Sequence, residues 1–173
     1  MVQGELSLKQ LLSKGVCRGK NLRGETDEAF LLKQTHLSLN GRRLHSLSSA
    51  LAATPKVQVM YLFDNELHSL GGLTTLGLTH LYLQNNMLVD TPELGASLGA
   101  LSHLQKLYIS SNRLADLTPL CGLFSLEELH AGSQRGGGEL CLPADLERLS
   151  RSRTHAPHTP AGGAPPTHPR AHM

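Results

Sequence analysis

Leucines recur along this chain in a pattern that neither a helix nor a plain strand explains. In HLYLQNNML, residues 80 to 88, Leu81 and Leu83 are two apart, the spacing of side chains that share one face of a strand. The next leucine, Leu88, comes five residues later, past Asn86. The same order returns in Thr35–Leu44, Gln58–Leu67, Thr79–Leu88, Gln105–Leu114 and Glu127–Gly136. The asparagine position falls at Arg42, Asn65, Asn86, Asn112 and Gln134, at spacings of 23, 21, 26 and 22.

The shared frame is L-x-x-L-x-L-x-x-N-x-L, the pattern of leucine-rich repeats. Each residue type has a physical task. The two strand leucines point the same way and pack against those of the next coil. The chain must then turn inward to return the last leucine to that stack. A buried turn leaves backbone polar groups without water, and an asparagine can serve them with both donor and acceptor. Asn65, Asn86 and Asn112 are therefore expected to form a ladder, with Arg42 and Gln134 replacing it at the ends. On the return side Leu114, Leu117, Leu120, Leu123 and Leu126 are spaced by three, which a 3₁₀ turn aligns and an α-helix does not. The third repeat is longer, and Pro92–Leu101 has room for a helical turn or two. The expected fold is an α/β leucine-rich repeat solenoid, curved and right-handed. Short parallel strands line its concave face, and 3₁₀ or short helices its convex face.

The ends depart from the repeat. Leu8, Leu11 and Leu12 stand at helical spacing within residues 5–14, and Gly15 stops the run. A second helix is expected over Thr26–Lys33, and residues 16–24 read as a loop. Residues 1–34 would then cap the N-terminal end of a five-repeat domain, 35–150. Ala144–Ser150 reads as the return helix of the fifth repeat. Residues 151–173 hold five of the nine prolines, four of the ten histidines and no leucine, a composition expected to be disordered. No C-terminal cap is evident, and an uncapped end would expose an apolar patch.

Composition narrows the picture. Aromatics are only 3%, with no Trp, so the core must be built of leucine. Residues 1–150 carry 13 Lys+Arg against 14 Asp+Glu, and the tail adds three arginines and no acid. So neutral a repeat domain weighs against direct nucleic-acid contact. Cys17, Cys121 and Cys141 make an odd count with no close pairing, unlike a secreted disulfide framework. Together with the absence of an N-terminal apolar run and of any roughly 20-residue apolar stretch, this makes a cytosolic protein the simplest reading.

Strand residues between the leucines face the concave side. Their central row is Ser38, Tyr61, Tyr82, Tyr108 and His130, which takes in all three tyrosines of the chain. One neighbouring row is Asn40, Phe63, Gln84, Ser110 and Gly132; the other is His36, Val59, His80, Lys106 and Glu128. Cross-strand aromatics can simply stabilise a sheet, by about 0.2–1 kcal/mol per pair. They can also form a docking platform, since Tyr is enriched at interface hot spots. In a domain so poor in aromatics, their concentration in one row favours docking, with Tyr61, Phe63, Tyr82, Gln84, Lys106, Tyr108, Glu128 and His130 as the partner-binding set. Glu127 and Glu128 would form either a charged rim or a merely solvated edge.

Several stretches carry a more particular likeness: LSLKQLL, ETDEAFLLKQTHL, YLFDNELHSL, LQKLYISSNRLADL and LEELHAGSQR followed by ADLERLS. In this order, over about residues 1 to 152, they resemble the SDS22-like class of leucine-rich repeat proteins, and within it a testis-associated regulatory subunit of protein phosphatase 1. That family continues with further repeats where this chain does not, which implies a C-terminally shortened form. The resemblance implies a non-catalytic regulatory subunit that binds the protein phosphatase 1 catalytic subunit. It also implies residence in the cytoplasm and cytoskeleton, at the centrosome and microtubule apparatus, with tubulin or a microtubule motor as further partners. The alternative is a structural adaptor for microtubule or axonemal dynein complexes, independent of the phosphatase. A ribonucleoprotein scaffold is a third reading, disfavoured by charge.

No pattern announces catalysis or a cofactor. Lys56–Met60 lacks the aromatic of a phosphatase-docking peptide, and its Val57 and Met60 occupy core positions. Arg135–Glu139 has three glycines without a phosphate-binding frame. The tail histidines His155, His158, His168 and His172 lack the supporting partners a specific metal site needs. His36, His80 and His130 have no nucleophile and orienting group beside them. Neither metal, cofactor, membrane nor nucleic acid is expected as a partner.

Overall fold

A computed structural model describes residues 5–135, except 14, 18, 20–22, 48 and 74–75. Cys141, the glycines of 136–138, the return helix expected at 144–150 and the tail of 151–173 lie outside the described residues.

Five three-residue strands follow the leucine pattern: β1 His36–Ser38, β2 Val59–Tyr61, β3 His80–Tyr82, β4 Lys106–Tyr108 and β5 Glu128–His130. They pair in parallel in sequence order, with Leu37, Met60, Leu81, Leu107 and Leu129 side by side. In each strand the middle residue is buried and its neighbours are half-buried, as alternation demands. The second strand-leucine positions, Leu39, Leu62, Leu83, Ile109 and Ala131, are also buried. The result is one curved solenoid with a single leucine core.

The return segments differ in width. The first and fourth use 3₁₀ turns, Ser49–Ala53 and Thr118–Gly122. The third is a true α-helix (α3), Pro92–Gly99; Pro92 suits its first turn, and the Leu94 N–H donates to the Thr91 cap hydroxyl at 3.1 Å. The leucine-every-third spacing has a backbone counterpart. The N–H groups of Leu120, Leu123 and Leu126 each donate to the carbonyl three residues earlier, at 2.9–3.1 Å. Leu73 and Leu76 do the same in the second repeat. In the first repeat Thr54 stands at such a position, fully buried, and its hydroxyl donates to the Leu51 carbonyl.

At the N-terminal end α1, Leu8–Leu11, starts with a capping box between Ser7 and Gln10. It is shorter than the run read from sequence, and Leu8 is 50% exposed. Leu6, just before the helix, is buried instead. Helix α2, Asp27–Leu32, is capped by Thr26 and buries Phe30 and Leu31. Residues 16–17 depart from the expected loop. Cys17 bridges Leu37 antiparallel, and the Ser38 N–H donates to the Val16 carbonyl at 2.8 Å, so the cap adds a sixth backbone segment at the β1 edge. At the other end Leu126, Leu129 and Ala131 are buried; the segment in which the sequence shows no evident cap lies outside the described residues.

Every coil turns at the same point. The residue immediately before the ladder position has positive φ in all five: Gly41, Asp64, Asn85, Ser111 and Ser133, at 56–65°. This left-handed residue reverses the chain so that the next leucine re-enters the core.

Candidate functional site

Parallel register sets Ser38, Tyr61, Tyr82, Tyr108 and His130 side by side on the concave face. The rings form a continuous stack. Tyr61–Tyr82 and Tyr82–Tyr108 centroids are 4.7 Å apart, and Tyr108–His130 centroids 4.3 Å, with planes within 20° of parallel. The centroid spacing follows the strand spacing of roughly 4.8 Å, so the sheet itself sets the stack. Ring faces cover each other, while the residues remain half-buried with their edges toward the open side.

One end of the stack is tied by charge. Glu128 accepts from Tyr108 Oη, from Lys106 Nζ at 2.7 Å and meets His130 Nε2 at 2.9 Å. The Lys106 hydrogen bond, then those of Tyr108 and His130, hold the Glu128 carboxyl down to about 2. The same carboxylate, with burial, pushes the Tyr108 phenol up to about 12, and it raises Lys106 as well. Burial first, then Tyr61, raises Tyr82. A carboxylate so weakly basic and a phenol so weakly acidic are poor proton-transfer groups near neutrality. The cluster is a clamp rather than an acid–base pair. Glu128 was expected in the partner-binding set, with Glu127 as a charged rim or a solvated edge; register with Lys106 makes it the hub.

Phe63 and Gln84 occupy the neighbouring row, both half-buried. The Gln84 side-chain oxygen is shielded from solvent and has no hydrogen-bond partner among the described residues. Such an acceptor is a group that a ligand's donor could complete.

Behind the stack runs the ladder. Asn65 Nδ2 donates to the Leu39 and Leu62 carbonyls, Asn86 Nδ2 to Leu62 and Leu83, and Asn112 Nδ2 to Leu83 and Ile109, all at 2.9–3.0 Å. Their oxygens accept from the N–H groups of Leu44, Leu67 and Leu88 in the preceding coil. Gln134 repeats the arrangement with Leu114, Ile109 and Ala131. Arg42 does not: its guanidinium donates to the Ser13 hydroxyl at 2.9 Å and ties the first coil to the cap.

Two concavities stand elsewhere. One, of about 280 Å³, opens on the return side between α3 and the narrower 3₁₀ turn beside it, floored by Leu94, Leu98, Leu117 and Leu120. The other, of about 340 Å³, lies at the Ser38 end of the stack between Val16, Cys17, His36, Ser38 and Tyr61. Sequence reading missed this second site, although a serine in an aromatic row was a visible signal. Among the described residues, no group of three or more His, Cys, Asp or Glu could hold a metal ion, and no helix is long and apolar enough to cross a membrane.

The model of the family described as Leucine Rich repeats (2 copies) matches residues 76–122. Among solved structures, an internalin C2 of Listeria monocytogenes is similar at 27% identity and a TM-score of 0.59, over 73% of this chain and 52% of that one. A leucine-rich repeat protein of Leptospira interrogans is similar at 24% identity and a TM-score of 0.61, over 74% of this chain and 32% of that one. The chain thus spans from about a third to half the length of these structures. No curated protein matches it. The fold is that of leucine-rich repeats, whose solenoids serve generally as protein-binding modules, and no catalytic family is indicated.

Proposed function

We propose that this leucine-rich repeat solenoid docks a partner protein on its concave ring column, and that the partner is the catalytic subunit of protein phosphatase 1. The chain then acts as a non-catalytic regulatory subunit, in the cytoplasm and cytoskeleton at the centrosome and microtubule apparatus. Docking is carried by one observation: the stack of Tyr61, Tyr82, Tyr108 and His130 lies half-buried on an open sheet. Rigid aromatic surface of this kind binds with little loss of side-chain freedom. The unpartnered Gln84 oxygen on the same face adds to it. The phosphatase assignment rests on the sequence stretches, such as LSLKQLL and LEELHAGSQR, that resemble an SDS22-like regulatory subunit of protein phosphatase 1.

The test is pull-down of purified phosphatase catalytic subunit by the full chain and by a variant with Tyr61, Tyr82 and Tyr108 changed to Ala. The expected result is capture by the wild type, about tenfold or more weaker in the variant, with an unchanged circular dichroism spectrum. Equal capture by both means that the column is not the surface. Retention of tubulin or axonemal dynein in place of the phosphatase would replace the regulatory reading with that of a microtubule adaptor.

A further inference from the structure

The ring column ends in a ring on one side and is interrupted at the other. His130 finishes it at β5, nearly parallel to Tyr108. At β1 the register position belongs to Ser38, paired with Tyr61, so among the described residues the Tyr61 ring stacks on Tyr82 and has no stacked ring on the Ser38 side. Beyond β1 the chain is not open. The cap backbone at Val16 and Cys17 pairs along it, so β1 is flanked by β2 on one side and by the cap on the other. Two strand spacings, roughly 10 Å, separate these flanks. The short Ser38 side chain leaves the space between them as the cavity of about 340 Å³.

We propose that this slot is a binding site for one aromatic side chain of a docked protein. The inference rests on the docking reading above and gives it an anchor. A ring entering over Ser38 at the period of the column would lie against Tyr61 and continue the stack by one member. Offset stacking of this kind contributes beyond its buried area. The chemistry favours a neutral ring over a planar cation. The described lining, Val16, Cys17, His36, Ser38 and Tyr61, includes no carboxylate, so a guanidinium would find no counter-charge among the described residues of the slot. The carboxylate at the far end of the column, Glu128, is four strands away and already bound to Lys106. An aliphatic side chain would fill volume without matching the flat face.

The three tyrosines of the chain all lie in the column, so their ring resonances report on it alone. The probe is N-acetyltryptophanamide, titrated into the full chain and followed by the tyrosine ring protons in NMR. N-acetylargininamide and N-acetylleucinamide serve as comparisons. A saturable shift that is largest at Tyr61 and smallest at Tyr108 is expected, with the other two probes binding about tenfold more weakly or less. Ser38→Tyr, which fills the slot from within, should abolish the shift. Tyr61→Leu, which removes the stacking face and keeps the cavity, should weaken binding by about the same tenfold.

Equal shifts at all three tyrosines, no saturation, undiminished binding by a folded Ser38→Tyr or Tyr61→Leu chain, or equal binding of the arginine or leucine probe would each overturn the proposal. The two readings fail separately. Phosphatase capture without probe binding strikes only the slot. Probe binding at Tyr61 without phosphatase capture leaves the slot in place and strikes only the named partner.

Discussion

Asn86 and Tyr82 lie four residues apart in the same coil, and each belongs to a column that crosses the sheet. Asn86 is 2% exposed, and its amide is spent on backbone: the Leu62 and Leu83 carbonyls, and more distantly that of Gln84, accept from its nitrogen, and the Leu67 N–H donates to its oxygen. Tyr82 is half-buried; its two faces are covered by Tyr61 and Tyr108 while its edge lies on the concave side. Both columns are made by the same parallel register, yet they close in different ways. The amide column completes hydrogen bonds that the turn cannot make for itself. The ring column completes only the contacts between rings. The first is therefore a stability device, and the second leaves surface for another molecule.

The sharpest way to break this contrast is to remove one member of each. Asn86→Ala would strand the Leu67 N–H and remove one of two amide donors from each of the Leu62 and Leu83 carbonyls, which keep those of Asn65 and Asn112. At about 2 kcal/mol for the stranded N–H and about 1 kcal/mol for each of the two hydrogen bonds lost to carbonyls that keep another donor, the loss should be about 4 kcal/mol. That is a large share of the stability of a domain this size. Urea unfolding measures it, and a loss below about 1 kcal/mol would mean that the ladder is dispensable. Tyr82→Ala should cost less, about 1–2 kcal/mol, because two stacking contacts are lost from a side chain already half in water. If the ring proves the costlier of the two, the division of labour is wrong.

Much of this was readable from the residues, for reasons that differ by position. The strands and the ladder follow from leucines at fixed offsets from an asparagine, because only one backbone path returns Leu67, Leu88 and Leu114 to a shared core. The ring row follows from strand alternation alone. Three features were not legible. The left-handed turn position is filled by Gly41, Asp64, Asn85, Ser111 and Ser133, which share a conformation but no residue type, so no pattern marks it. Leu8 sits at helical spacing with Leu11 yet faces outward, because the helix is barely one turn long and Leu6 fills the core place. Arg42 stands in the ladder register, but its long side chain reaches Ser13 of the cap, a contact that depends on how the cap folds back. The clamp at Glu128 needed only the register of Lys106 against Glu128, and a reading of Glu127 and Glu128 as an acidic pair hid it.

The smallest effect separates the columns by pH. The ladder is made of amides and has nothing to titrate. The ring column ends on Glu128, whose folded value of about 2 lies below its ordinary 4.5. A lowered carboxyl stabilises the fold above its unfolded value, so this contribution is complete above pH 4.5 and fades as the pH falls toward 2. Tyr108 runs the other way: held near 12 against an ordinary 10, it stabilises below pH 10 and loses that contribution as the pH rises toward 12. Glu128→Gln should therefore remove part of the acid sensitivity of unfolding between pH 4.5 and 2, and return Tyr108 toward 10 in a tyrosinate absorbance titration. The change at neutral pH should be small, since Glu128 and Lys106 are partly exposed and salt screens such pairs. Asn86→Ala, by contrast, should shift stability by the same amount across this acid range. A Tyr108 that still titrates near 12 without the carboxylate would show that burial, and not Glu128, holds that end of the stack.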